Sequence, residues 1–107
     1  MAKQGIATQY DDAGFPSTAA FTEPITLGGL VTVKASAGRL IRVTVTTVTA
    51  TGAVTFYDNA SAASGTILHV IPIAAAVGTI YVVDMPAVNG ITVQSTGATG
   101  AITVGYS

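Results

Sequence analysis

The chain has no cysteine, no tryptophan and one histidine, and only four Lys or Arg and five Asp or Glu, 8% of its 107 residues. Each scarcity excludes something. Without cysteine there is no disulfide framework and no thiolate metal site, which is consistent with assembly in a reducing cytoplasm. One histidine without cysteine leaves too few ligands for a zinc site, and no cofactor is expected. A net charge of −1 gives no electrostatic footprint for nucleic acid or an anionic membrane, so neither is expected as a partner. No apolar run approaches the roughly 20 residues a membrane-spanning helix needs. The opening MAKQGIATQYDDAGF lacks an apolar h-region, so no secretory signal is expected.

The shortage of charge is the most informative absence. Soluble domains carry about 25% charged residues, and free monomers use them for solubility and to keep sheet edges from pairing with neighbours. A chain that is half apolar and so poorly charged is expected to cover part of its surface with copies of itself, as a homodimer or homotrimer, or with a larger assembly.

What is present is β-forming sequence. The length suits one domain. Residues 1–23 show no sustained period and read either as an extended N-terminal arm that orders on contact or as a disordered terminus. Residues 24–107 read as a β-sandwich domain. Thr and Val dominate it, and both are stiff at χ1 and suit a pleated surface. In IRVTVTT, Ile41, Val43 and Val45 alternate with Arg42, Thr44 and Thr46, the pattern of a half-buried strand. AVTFYD follows, with Val54 and Phe56 inward and Thr55 and Tyr57 outward, and VTATG between the two reads as a hairpin turn. Further strands are expected near residues 24–27, 30–35, 66–73, 79–84, 91–94 and 101–106, with turns at Gly28-Gly29, Ala37-Gly38, Asp58-Asn59 and Asn89-Gly90. The pattern predicts an all-β, single-domain antiparallel β-sandwich, jelly-roll-like, with seven or eight strands. The expected core is Ile41, Val43, Val45, Val54, Phe56, Val70, Ile80, Val82, Ile91, Val93, Ile102 and Val104.

Residues 43–55, VTVTTVTATGAVT, are echoed without a gap by residues 91–103, ITVQSTGATGAIT. The echo is either chance in a Thr/Val/Ala/Gly chain or a duplicated hairpin with one copy in each half of the sandwich.

No residue set specifies catalysis. His69 lies in TILHVIP with no evident acid partner or nucleophile, and which face it occupies is ambiguous because Ile67 and Ile71 compete for the interior. Asp58-Asn59 could supply oxygens to Ca²⁺ or a sugar, but an Asx-turn bonding its own backbone is the simpler use. Arg39 and Arg42, three apart on a strand, are expected on opposite faces, so they form no basic patch. Arg42 either is solvated or makes a bidentate contact to a partner carboxylate. Tyr10, Phe15, Arg42 and Tyr57 are the candidate partner-binding residues. Tyr57 and Tyr81 also suit ordinary cross-strand packing.

The phrases GRLIRVTV, TFYDNASAASGT, IPIAAAVGTIYVVDMPAVNGITVQ and AITVGYS, over residues 38–107, resemble small structural proteins encoded in tailed-bacteriophage genomes. The resemblance implies an all-β, non-enzymatic virion protein made in the host cytoplasm and placed on the capsid surface. The best-known role is a head decoration, or cement, protein that binds the major capsid protein or another virion protein as an oligomer. It implies no catalytic residues. Alternatives are a tail, fibre or head-spike component, or a carbohydrate-binding or adhesion module.

Overall fold

The computed structural model describes residues 21–107, which form eight β-strands and no helix. The strands are β1 (Phe21–Thr26), β2 (Leu30–Lys34), β3 (Gly38–Ala50), β4 (Val54–Asp58), β5 (Thr66–Ile71), β6 (Ile80–Ala87), β7 (Ile91–Gln94) and β8 (Thr99–Tyr106). They make two four-stranded sheets, ordered β1-β8-β3-β6 and β2-β7-β4-β5, and every pairing is antiparallel. The first strand pairs with the last, the second with the seventh, the third with the sixth and the fourth with the fifth. That is a long antiparallel ribbon folded at β4–β5 and wound around a core, the jelly-roll arrangement. The sandwich begins at Phe21, so residues 21–23 belong to β1. The rest of the expected arm, with Tyr10 and Phe15, lies outside the described residues.

Winding means that consecutive strands rarely pair. Only β4 and β5 form a hairpin; every other connection carries the chain from one sheet to the other. The expected β3–β4 hairpin is therefore a corner. Thr51 supplies a left-handed backbone there (φ 63°), and its hydroxyl donates to the Gly97 carbonyl. The echoed segments meet at this place. β3–β4 crosses from the first sheet to the second, β7–β8 crosses back, and the two run antiparallel, pairing Val43 with Val104, Val45 with Ile102, Ala50 with Thr99 and Phe56 with Val93. The echo marks two crossings rather than two hairpins. Gly100 is required in it, because φ is +116° and an added Cβ would stand 2.5 Å from the Val48 carbonyl oxygen.

The core lies between the sheets. Phe56, Leu40, Ile71, Ile91, Ile102, Val43, Val45, Val54, Val93 and Val104 are fully buried. Ile41 is also buried, as expected. Three expected core residues are not: Val70, Ile80 and Val82 are exposed, Val82 by 77%. In β5 the cause is an irregularity opposite Phe56–Tyr57, where Phe56 pairs with His69 and Tyr57 with Ile67. Leu68 is the extra residue, so Leu68 and His69 both turn inward and Ile67 and Val70 face out. In β6 the run Ile-Tyr-Val-Val is apolar at both parities, so alternation carries no signal. Tyr81 and Val83 take the inward positions against the core, and Ile80 and Val82 face out.

Truncation of Phe56 to Ala is expected to cost about 3–5 kcal/mol in urea denaturation. Val82→Ala is expected to stay within about 0.5 kcal/mol. Equal effects would contradict this division between inside and outside.

Candidate functional site

Register aligns rows of positions of outward parity on each sheet, in which Gly105 has no side chain and Thr92 is covered. On the first sheet the rows are Thr22–Gly105–Arg42–Val82 and Pro24–Thr103–Thr44–Ile80. On the second they are Leu30–Gln94–Thr55–Val70 and Thr32–Thr92–Tyr57–Ile67. Arg42 is the one charged residue in these four rows. Arg42 and Tyr57 thus occupy opposite outer faces, and the fold does not bring them together.

The remaining described charges are engaged or stand at edges. A second irregularity, between Leu40 and Arg42, changes the parity of β3. Leu40 and Val43 both reach the core, so Arg39 and Arg42 both face outward, contrary to the expectation of opposite sides. Arg39 is then held by Asp84, with Nε 3.4 Å from Oδ1. Both side chains are largely exposed, so this pair contributes little to stability. Asp84 lies within β6.

Asp58 corrects a second expectation. Its carboxylate does not fold onto its own turn but accepts backbone N–H groups from Asn89 (2.7 Å), Val88 (3.0 Å) and Gly90 (3.3 Å). Those donors, led by Asn89 and Val88, hold its pKa below the ordinary carboxylate value. Close approach at this junction needs a glycine, since a Cβ on Gly90 would lie 2.6 Å from the Lys34 carbonyl oxygen and 2.8 Å from the Ala60 Cα. The Asx-turn belongs to Asn59, whose Oδ1 accepts from the Ser61 and Ala62 N–H groups. With its carboxylate committed to three amides, Asp58 is a structural tie between β4 and the β6–β7 connection.

His69 sits on the inner side of β5 and faces Tyr81 of β6 across the sandwich. Its ring centroid is 4.9 Å from Tyr81 and 6.3 Å from Phe56. Nε2 is buried without a hydrogen-bond partner. Burial holds the imidazole below its ordinary pKa. No acid or nucleophile is shown beside it, and it reads as a packing residue bridging the two sheets. Among the described residues no group of three or more His, Cys, Asp or Glu side chains could hold a metal ion.

Sequence reasoning missed the apolar exterior. Ile67, Val70, Ile73, Val77, Ile80 and Val82, from β5, β6 and the connection between them, are exposed, as are Phe21, Leu30, Val48, Met85 and Val88. A signal was present: no Asp, Glu, Lys or Arg occurs from Asn59 to Val83. Comparison of this chain with protein-family models, with curated proteins and with solved structures finds no match.

Two outcomes follow for the ionisable groups. Because the His69 pKa is lower folded than unfolded, the unfolded chain takes up the proton first. Stability attributable to His69 is then complete above the unfolded value of about 6.5 and declines as pH falls below it, by at most about 1.4 kcal/mol per pH unit. His69→Phe is expected to remove that component from chemical denaturation curves between neutral and mildly acidic pH. Asp58 acts at lower pH, with stability present above the ordinary carboxylate range and lost as pH falls through its depressed folded value. Asp58→Ala is expected to lower Tm at neutral pH and to abolish that acid-side component, and a wild-type Tm would contradict its role as a tie.

Proposed function

We propose that this chain is a non-enzymatic structural protein of a tailed-phage virion, a capsid decoration protein that binds the head exterior as an oligomer. The observation that carries the reading is the exterior of the sandwich. Threonine, small residues and exposed Val and Ile cover its faces, Arg42 and the Arg39–Asp84 pair interrupt them, and the stretch from Asn59 to Val83 carries no charge. Such a surface suits contact with protein better than lone exposure to water. The jelly roll supports the reading, since that double-sheet architecture serves capsid and lectin domains alike. The resemblance over residues 38–107 points to the capsid side of that pair.

Arg42 is the contact with directional chemistry. Its guanidinium stands on the first sheet beside Gly105, with Val82 and Thr44 around it, and a bidentate carboxylate from the major capsid protein fits an exposed, otherwise neutral face. A second reading is favoured by Tyr57. This half-exposed ring lies on the second sheet with Thr32 in its row and Thr55 and Gln94 in the next, an arrangement that suits sugar stacking in a fibre, head-spike or adhesion module. The carboxylate of Asp58 is not part of that arrangement, so any glycan binding would depend on Tyr57.

Purified protein mixed with undecorated capsids of the encoding phage is expected to bind saturably. Arg42→Glu is expected to weaken binding by about tenfold or more, equivalent to about 1.4 kcal/mol. Absence of saturable binding, together with Tyr57-dependent binding on a glycan array, would replace this reading with the second.

A further inference from the structure

The chain has two asparagines, Asn59 and Asn89, and only Asn89 is followed by glycine. Asparagine is thermally labile, and a following glycine makes it most so. With no Cβ in the way, the glycine backbone nitrogen can reach the asparagine side-chain carbonyl carbon and close a succinimide ring. Asn59 is doubly protected. Ala60 follows it, and its side chain is held at both ends, Oδ1 accepting from the Ser61 and Ala62 N–H groups and Nδ2 donating to the Ser64 carbonyl and Oγ. Asn89 has an exposed side chain, and the bond that holds this residue to Asp58 is made by its backbone N–H.

We propose that Asn89 is a latent deamidation site, kept unreactive by the Asp58 carboxylate and released when the β6–β7 connection opens. The constraint falls on the attacking atom. Gly90 is buried, and its N–H points to Asp58 Oδ1 at 3.3 Å, the oxygen that also accepts from Asn89 at 2.7 Å. The peptide between them is thus fixed on both sides. It has little room to turn, because a Cβ on Gly90 would lie 2.6 Å from the Lys34 carbonyl oxygen, 2.8 Å from the Ala60 Cα and 2.9 Å from the Asn59 carbonyl oxygen. This inference concerns the subunit alone and stands apart from the capsid reading.

Ring closure needs the Gly90 nitrogen to lose its proton and to line up with Asn89 Cγ. Asp58 opposes both. Its negative charge beside the N–H disfavours an amide anion there. The charge-assisted bonds must also break before the peptide can rotate. The carboxylate is a poor base for that proton, since the same amide donors hold its pKa below the ordinary value. Once the connection opens, Gly90 N bonds to Asn89 Cγ, the Cγ–Nδ2 bond breaks, and the side-chain nitrogen leaves as ammonia with the proton from Gly90. Water then opens the ring at either carbonyl, giving aspartate or isoaspartate. No electrons are exchanged with any other group. Isoaspartate adds a carbon to the backbone, and the close packing around Gly90 leaves no space for it. An opening that ends in isoaspartate is therefore irreversible, and the tie is not remade.

The test is incubation of the full chain in warm, mildly alkaline buffer, with peptide mass spectrometry that separates asparagine, aspartate and isoaspartate at residue 89. Folded wild type is expected to keep Asn89 while the same chain in concentrated urea loses it. Asp58→Ala is expected to deamidate at Asn89 about tenfold or more faster than wild type while folded, and Asp58→Asn, which keeps the shape and removes the charge, to change in the same direction. Thr49→Val serves as the control. It removes a hydrogen-bonded tie at a different corner, so it lowers stability without touching Gly90, and its Asn89 is expected to last as in wild type. Should Asp58→Ala fail to fold, Asp58→Asn and the comparison of folded with urea-unfolded wild type still decide. Equal rates in folded and unfolded wild type, wild-type rates in both Asp58 variants, or equal acceleration by Thr49→Val and the Asp58 variants would each overturn the assignment.

Discussion

Every connection but one carries the chain to the opposite sheet, and the energetic problem of this fold sits at those corners. A strand leaving its sheet exposes backbone polar groups at the margin of an apolar core, where an unmet hydrogen bond costs about 1–3 kcal/mol. The buried polar side chains answer that problem. Thr49 donates to the Pro72 carbonyl and accepts from the Ala75 N–H. Ser95 accepts from the Gly28 and Gly29 amides and donates to the Gly29 carbonyl. Thr92 donates to the Asn59 carbonyl, and Asp58 accepts from residues 88–90. Thr49, Thr92 and Asp58 each tie a strand to a connection, and Ser95 ties the β7–β8 connection to the β1–β2 connection, so side-chain hydrogen bonds fix the corners.

With the corners satisfied, a core of β-branched residues around one phenylalanine closes the sandwich. The same economy shapes the outside. The described charges are used in the tie at Asp58, in the Arg39–Asp84 pair and on the edge strands β1 and β2, and Arg42 stands on a sheet face. The inward rows hold the subunit together, and the outward Val and Ile residues of β5 and β6 contribute little to that stability.

Much of this was legible in the sequence where period and chemistry agreed. Val43, Val45, Val54, Phe56, Ile102 and Val104 alternate with polar neighbours, and all six are buried. The turns at Gly28-Gly29 and Asn89-Gly90 fall between strands. Legibility failed where an irregularity changed the parity, at Leu68 and Ile41, because one extra residue reverses the facing of all that follows. It failed again in β6, where both parities are apolar. The partner of Asp58 was illegible for another reason: its three amides lie some thirty residues away, and local turn chemistry gives no hint of them. Of the candidate partner residues, Arg42 and Tyr57 were placed outward, as the structure has them, but their separation onto opposite faces follows only from which strand joins which sheet.

Composition and alternation by themselves determined an all-β chain with short strands, no thiol chemistry and too little charge for its surface, since these depend on residue type and near neighbours. Tertiary structure alone decided the winding of the ribbon, the two crossings behind the echoed segments, and the placing of Ile67 and Val70 on one outer face and Ile80 and Val82 on the other. Those depend on contacts between residues far apart in the chain, and on single-residue shifts in register that no local pattern records.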